Sequence, residues 1–117
     1  MIDLAPAQAE EVRGILAQYV PDCEVVVFGS RANGKARKYS DLDLAIIGNH
    51  PLSLRRLAEL RDALSESRLP IVVDVLDWHM LTAEFRKLVL SEFETIQTAL
   101  GLDVTLREKL RAADCRD

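Results

Sequence analysis

The chain lacks long apolar runs, and this absence excludes several classes of protein. No stretch among its 117 residues approaches the roughly 18 consecutive apolar residues of a membrane-spanning helix. The N-terminal region also lacks the charged segment followed by an apolar one that is typical of a secretion signal. We therefore expect a protein that is neither inserted in a membrane nor secreted, and that is cytoplasmic.

Cysteine and histidine are scarce, with two of each in the chain. Cys23 and Cys115 lie far apart in sequence, and no Cys or His spacing is typical of a metal site. We therefore expect both cysteines to be structural or incidental. The same expectation holds for His50 and His79.

The chain has fewer basic than acidic residues, 15 against 19, but several of the basic ones lie in one segment. The formal net charge of −4 and the sequence pI near 5.2 argue against broad, unspecific binding to nucleic acid. Four cations nevertheless lie within eight residues with no acid among them: Arg31, Lys35, Arg37 and Lys38. Such a run is usually a solvated loop. A local role in binding a triphosphate or an acidic partner is the alternative, and both interpretations stay open.

Length and periodicity predict one α/β (α+β) domain. The 117 residues, 49% of them hydrophobic, can bury a core without disulfides, and no repeat or low-complexity linker is present. Helix, strand, helix, strand, helix, strand and helix follow one another, so we expect a small sheet with helices mainly on one face. The residues expected to face the core are Val12, Ile15, Leu16 and Tyr19 in the first helix, Leu54, Leu57, Leu60 and Leu64 in the second, and Phe85, Leu88 and Val89 in the third. A last helix around 105–112 is possible, and fraying is the alternative.

A glycine turn follows the first predicted strand. The four apolar residues at 25–28 are typical of a strand buried on both faces. Gly29 permits close approach to the main chain, and Ser30 offers a hydroxyl as well as an N–H. A helix beginning near Arg31 would direct free N–H groups and its positive dipole end to the same point. We therefore predict a phosphate-binding turn.

Two acids precede and enter the second predicted strand. Asp41 and Asp43 are alternate residues, so they point to one face and lie about 7 Å apart at the backbone. Crowded carboxylates repel each other, and a divalent cation with a preference for oxygen ligands removes that cost. Taken alone, an Asp-x-Asp pair is more often a strand end that faces water. The Gly-Ser turn at this spacing reverses that preference in favour of a metal site.

A third acid lies in the apolar run 71–76. Asp74 is out of place there, because burying a lone carboxylate costs several kcal/mol unless a cation or hydrogen bonds compensate. We assign Asp74 to the metal site. Asp77 falls on the opposite face at the end of the run, and we predict that it caps a turn or helix.

Together these motifs resemble the DNA polymerase β-type nucleotidyltransferase superfamily. The shared signature is Gly29-Ser30, then Asp41-Leu42-Asp43 about ten residues later, and the later acid Asp74. More narrowly, Gly29 to Gly34, Ser40 to Ala45 and Val73 to Asp77 resemble the minimal nucleotidyltransferases (MNT), small proteins encoded beside HEPN-domain partners. The resemblance spans about residues 8–97 and implies a polymerase β-like mixed sheet.

The resemblance also implies roles for individual residues. Gly29, Ser30 and Arg31 would bind the nucleotide, with Ser30 and the backbone at Gly29 on the β and γ phosphates. Asp41 and Asp43 would bridge the metals, and Asp74 would ligate the catalytic metal and help deprotonate the acceptor. ATP would be the substrate, and two Mg²⁺ ions the cofactor.

The same resemblance predicts the organisation and function of the chain. Residues 1–97 would form the nucleotidyltransferase domain and residues 98–117 a tail or short helix. Many relatives close the domain with a glycine turn and a strand ending in tyrosine, whereas Glu94 to Gln97 occupy that place here, which leaves the sheet edge open to question. No second helical domain is evident, so we expect the acceptor site to come from a partner chain or a large substrate.

The function expected from the resemblance is that of an antitoxin enzyme. It would transfer AMP from ATP to a tyrosine of a HEPN-type ribonuclease toxin and so neutralise it, with no membrane and no direct nucleic-acid contact. One alternative is the catalytic subunit of a split small-molecule nucleotidyltransferase of the antibiotic-modifying type. Another is an antitoxin that inhibits by binding alone.

Overall fold

The computed structural model describes residues 2–114, except for the side chain of Asp114. The helices are α1 (Pro6–Tyr19), α2 (Ser30–Asn33), α3 (Leu54–Ser65), α4 (Ala83–Ser91) and α5 (Val104–Asp114), with a short 3-10 helix at Trp78–Met80. The strands are β1 (Glu24–Phe28), β2 (Leu42–Ile47), β3 (Val73–Asp77) and β4 (Phe93–Gln97). Within residues 2–114, no helix is both long enough and apolar enough to cross a membrane. The prediction for Cys115 lies outside the described residues.

The four strands form one mixed sheet in the order β3-β2-β1-β4. Strand β1 pairs antiparallel with both β2 and β4, whereas β2 and β3 are parallel. The parallel pair is joined by a crossover that contains α3, as parallel strands require. The predicted α/β class with a mixed sheet is thus confirmed.

Apolar residues cover both faces of the sheet. One core cluster contains α1 and α3, with Val12, Leu16 and Leu60 packed on Val25 and Leu44. A second cluster, on the other face, contains Val26, Ala45, Trp78, Val89 and Leu110. The expectation that helices pack mainly on one face is therefore wrong. Because all five residues of β1 are buried, both faces of this strand need a covering layer.

Two leucines assigned to the core are instead exposed. Each helical residue advances about 100° around the axis, so Leu54 lies beyond the edge of the stripe formed by Leu57, Leu60 and Leu64. It is the first residue after the Ser53 cap and is 87% exposed. The same rotation turns Leu88 about 100° around the axis from the buried Val89, and Leu88 is 59% exposed.

The end of the chain adds a strand and a helix to the predicted order. Strand β4 forms one edge of the sheet at the place that the sequence left open. Helix α5 is formed, and the turn before it is fixed by the buried Glu24, whose Oε1 accepts the Ala99 N–H at 2.8 Å. Leu110 of α5 belongs to the second core cluster. The division of the chain at residue 97 stays a prediction.

Candidate active site

The turn between β1 and α2 has a backbone that glycine alone adopts readily. Gly29 has φ 73° and ψ −153°, a region essentially closed to residues with a side chain. A Cβ at Gly29 would also lie 2.5 Å from Oδ2 of Asp43. The sequence thus needs glycine here both for the turn and for the close approach of a carboxylate. The carbonyl of Gly29 accepts the N–H groups of Ala32 and Asn33, which starts α2, and Ser30 is half-buried at its first position.

Strand register brings Asp43 and Asp74 side by side. Asp43 is opposite Phe28 of β1 on one side and opposite Asp74 of β3 on the other. Asp41 lies one residue before β2, and Leu42 between the two acids donates its N–H to the Val72 carbonyl at 2.9 Å. The structure therefore places the Gly29 turn and the predicted carboxylates at one end of the sheet.

The burial expected for Asp74 from the sequence is wrong. Asp74 is exposed, so the burial cost invoked for it does not arise. The reason is topological, because β3 is an edge strand of the sheet. What connects Asp74 to the site is its pairing with Asp43, which is itself half-buried.

The neighbouring carboxylates perturb Asp43. The pKa of Asp43 is raised above its ordinary value, first by burial and then by the negative charges of Asp74 and Asp41. A divalent cation would relieve this repulsion. Among residues 2–114, no three His, Cys, Asp or Glu side chains form a ready-made metal cage. Mg²⁺ is usually held by one or two carboxylates together with substrate phosphates and water, so the donor set fits Mg²⁺ bound with a nucleotide.

Arg31 has a different place from the one that the sequence suggests. It is only 5% exposed, and its guanidinium donates to the main-chain carbonyls of Ser40 at 3.0 Å and Asp3 at 2.8 Å. Further bonds reach the carbonyls of Arg37 and Lys38. The side chain thus supports the surrounding loop, and a nucleotide contact is left to the main-chain N–H of Arg31. Sequence reasoning missed this role, because a buried arginine bound to carbonyls leaves no pattern in the chain.

The rest of the basic segment is at the surface. Lys35, Arg37 and Lys38 are exposed, and the Lys38 ammonium lies 5.4 Å from the ring centre of the exposed Tyr39. This exposure agrees with a solvated loop beside the site. A contact with triphosphate or with an acidic partner stays a prediction.

The capping role predicted for Asp77 is confirmed. Its carboxylate is buried and accepts the N–H of His79 at 3.0 Å, which caps the short 3-10 helix. The other oxygen accepts the N–H of Leu52 at 2.8 Å. Asp77 pairs in register with Ile46, at the end of β2 away from Asp43, so it belongs to the scaffold.

Comparison with known proteins identifies the family. Residues 9–109 match the family described as "Nucleotidyltransferase domain". The chain is also 46% identical, over 96 residues, to the probable protein adenylyltransferase MntA of Haemophilus influenzae, a match that covers 82% of this chain and 84% of that protein. The chain belongs to the nucleotidyltransferase domain family. The family resemblance drawn from the Gly-Ser and Asp-x-Asp motifs is thus confirmed.

Solved structures share the fold of this nucleotidyltransferase domain. A crystal structure of a toxin–antitoxin with AMP-PNP superposes with a TM-score of 0.70 at 19% identity, over 91% of this chain and 83% of that one. A structure of a tri-AMPylated Shewanella oneidensis HEPN toxin in complex with its MNT antitoxin gives a TM-score of 0.63 at 19% identity, over 92% of this chain and 80% of that one. At these identities the likeness establishes the fold.

Proposed function

We propose that this nucleotidyltransferase uses ATP and Mg²⁺ to transfer AMP to a tyrosine of a HEPN-type ribonuclease toxin, which it thereby neutralises. The main support for the proposal is the close approach of the Asp43 carboxylate to the Gly29 turn, where it occupies the space that a Cβ would need. A turn suited to phosphate lies directly against a carboxylate suited to a cation. A nucleoside triphosphate bound to Mg²⁺ has the complementary charges.

Each site residue has a defined task in this proposal. The turn at Gly29 and Ser30 binds the β and γ phosphates through N–H groups and the serine hydroxyl. Asp41 and Asp43 would hold two Mg²⁺ ions, and Asp74 would be a further ligand of one of them. When bound, the metal polarises the phosphoryl oxygens and neutralises developing charge.

The reaction balances as a nucleotidyl transfer. The acceptor hydroxyl oxygen forms a bond to the α-phosphorus of ATP, and the bond from that phosphorus to the bridging oxygen of the β-phosphate breaks. Pyrophosphate leaves with the bond electrons. Asp74, exposed beside Asp43, takes the hydroxyl proton in this scheme.

The relatives support the donor, the acceptor and the partner. One relative bears the name probable protein adenylyltransferase. The chain also shares its fold with a structure of an MNT antitoxin in complex with a tri-AMPylated HEPN toxin. The AMP-PNP in another of these structures supports ATP as donor. Such a pair would act in the cytoplasm.

The test is AMP transfer in a purified system. The chain is mixed with the HEPN-type protein proposed as its partner, with ATP and with Mg²⁺, and both proteins are weighed by intact mass spectrometry. We expect one or more AMP groups on a partner tyrosine and loss of its ribonuclease activity. Asp43→Asn keeps the size of the side chain but removes its charge, so transfer should fall by about 10²-fold or more.

Two results would contradict the proposal. If Asp43→Asn inhibits the partner as well as wild type does and adds no mass, inhibition is by binding alone. If the partner gains no mass while a small hydroxylated compound becomes adenylylated, the chain is the catalytic subunit of a small-molecule enzyme.

A further inference from the structure

A buried arginine joins the two halves of the candidate site. Arg31 directly follows Ser30 of the phosphate turn, and its Nε donates to the carbonyl of Ser40, which directly precedes Asp41. The Arg31 side chain therefore connects the neighbour of Ser30, the predicted phosphate ligand, to the neighbour of Asp41, the predicted metal ligand. The nine-residue separation in sequence is closed by a bond of 3.0 Å.

The loop that receives this bond is itself closed into a turn. Ser40 donates its N–H to the Arg37 carbonyl at 3.1 Å, and its hydroxyl oxygen accepts the Arg37 N–H at 2.8 Å. The turn directs the carbonyls of Arg37, Lys38 and Ser40 at the guanidinium. A buried cation that faces several carbonyl dipoles forms charge-assisted hydrogen bonds, which are the stronger kind.

The other side of Asp41 is fixed separately. Leu42, which follows it, donates its N–H to the Val72 carbonyl at 2.9 Å, two residues before Asp74. The backbone at Asp41 is thus held towards β3 on one side and towards the phosphate turn on the other. Arg31 provides the second of these attachments.

We infer that Arg31 is a positioning residue, whose guanidinium sets the distance between the phosphate turn and the Asp41 carboxylate. The inference rests on the proposed function, because it concerns the same site. It gives Arg31 no contact with the nucleotide through its side chain. Its consequence is that Mg²⁺ and ATP bind together only when the loop 37–40 is held in place.

The test is to replace Arg31 by Lys and to measure Mg²⁺-dependent ATP binding. Lysine keeps the charge, but a single ammonium cannot reproduce the planar fork that reaches Ser40 and Asp3 with different nitrogens. Loss of such a supporting residue typically costs about 10- to 100-fold in metal affinity. We therefore expect the Mg²⁺ concentration that gives half-maximal ATP binding, measured by calorimetry, to rise by about that factor.

Two controls separate positioning from loss of stability. Val12→Ala removes core contacts in α1, so it should lower the melting temperature without moving the Mg²⁺ midpoint. Arg56→Lys alters an arginine that binds Asp22 on a different part of the molecule, and it should leave the midpoint unchanged as well.

Ser40→Ala acts on the other end of the contact by removing the hydroxyl that closes the turn. It should shift the midpoint in the same direction by a smaller factor, and it serves as the test if Arg31→Lys does not fold.

The possible outcomes are distinct. An unchanged midpoint in folded Arg31→Lys, or in Ser40→Ala when the lysine variant is unfolded, overturns the inference. An equal shift in Val12→Ala at equal loss of melting temperature also overturns it, because stability alone then explains the effect. If Asp43→Asn binds MgATP like wild type, the proposed function fails, and this result does not depend on Arg31.

Discussion

Gly29→Ala is the substitution whose effect follows most directly from the geometry of the site. The Gly29 backbone, at φ 73° and ψ −153°, costs about 1–3 kcal/mol for any residue with a Cβ. At roughly 3–6 °C per kcal/mol for a domain of this size, the melting temperature should fall by about 3–18 °C. The new methyl group would also lie 2.5 Å from Oδ2 of Asp43, so the carboxylate must move. MgATP binding should therefore be lost together with part of the stability.

Two other glycines provide matched controls. Gly14 lies inside α1 with no atom near its missing Cβ, so Gly14→Ala should stabilise the fold by about 0.5–1 kcal/mol. Gly34 has φ 81° and equally open surroundings, so alanine there should cost about 1–2 kcal/mol from the backbone alone. Neither change displaces a carboxylate, and MgATP affinity should stay at the wild-type level in both.

A double variant separates the strain from the steric contact. In Asp43→Ala the carboxylate is gone, and only the Asp43 Cβ remains, at 3.8 Å, an ordinary contact. In that background, Gly29→Ala should lower the free energy of unfolding only by the cost of the backbone conformation. The coupling energy between the two substitutions should be about 0.5–3 kcal/mol. Differential scanning calorimetry of the four proteins measures this cycle. A Gly29→Ala protein that melts and binds MgATP like wild type would contradict both effects.

Two further predictions concern Ser30 and Cys23. Ser30→Ala should weaken MgATP binding by the free energy of one charge-assisted hydrogen bond, roughly 1.5–3 kcal/mol. Ser65→Ala, at the exposed end of α3, is the control and should have no effect. Equal affinities of wild type and Ser30→Ala by calorimetry would exclude the turn as the phosphate site. Burial raises the pKa of the Cys23 thiol to about 11 from 9.0, so the folded state keeps the proton while the unfolded chain loses it. The contribution of Cys23 to stability is complete below pH 9 and falls as the pH rises towards about 11, and alkylation at neutral pH should need unfolding. Rapid alkylation of the native protein, or the same alkaline loss of stability in Cys23→Ala, would contradict this.

The grouping of the candidate site residues in space was predicted better than the fold around them. Gly29, Asp41 and Asp43 lie in one short segment, so local rules of turns and strands suffice to bring them together. Asp74 required a prediction about a neighbouring strand, and the β2–β3 register confirms that it lies beside Asp43. Asp74 is nevertheless exposed and not buried as predicted, because exposure depends on the order of the strands in the sheet, and the local sequence pattern does not contain that order.

Features that depend on distant contacts could not be read from the sequence. The second helical layer depends on how α4 and α5 return to the sheet, and the one-face prediction missed it. Strand β4 is a short segment of polar and apolar residues whose sequence alone does not predict a strand. It forms a strand because it pairs with β1. Arg31 looks like part of a solvated basic run, although its guanidinium is buried and donates to the carbonyls of residues 3, 37, 38 and 40.

Transfer of the α-phosphate of ATP to the acceptor is the central step of the proposed function, and labelled ATP tests it most directly. The chain, its HEPN-type partner and Mg²⁺ are incubated in parallel with ATP labelled at the α- or the γ-phosphate, and the labelled products are separated. We expect α-label on the partner protein, γ-label in released pyrophosphate, and neither product with the Asp41→Asn, Asp43→Asn double variant. Label from the γ-phosphate on the partner, or α-label transfer that survives the double variant, would contradict it.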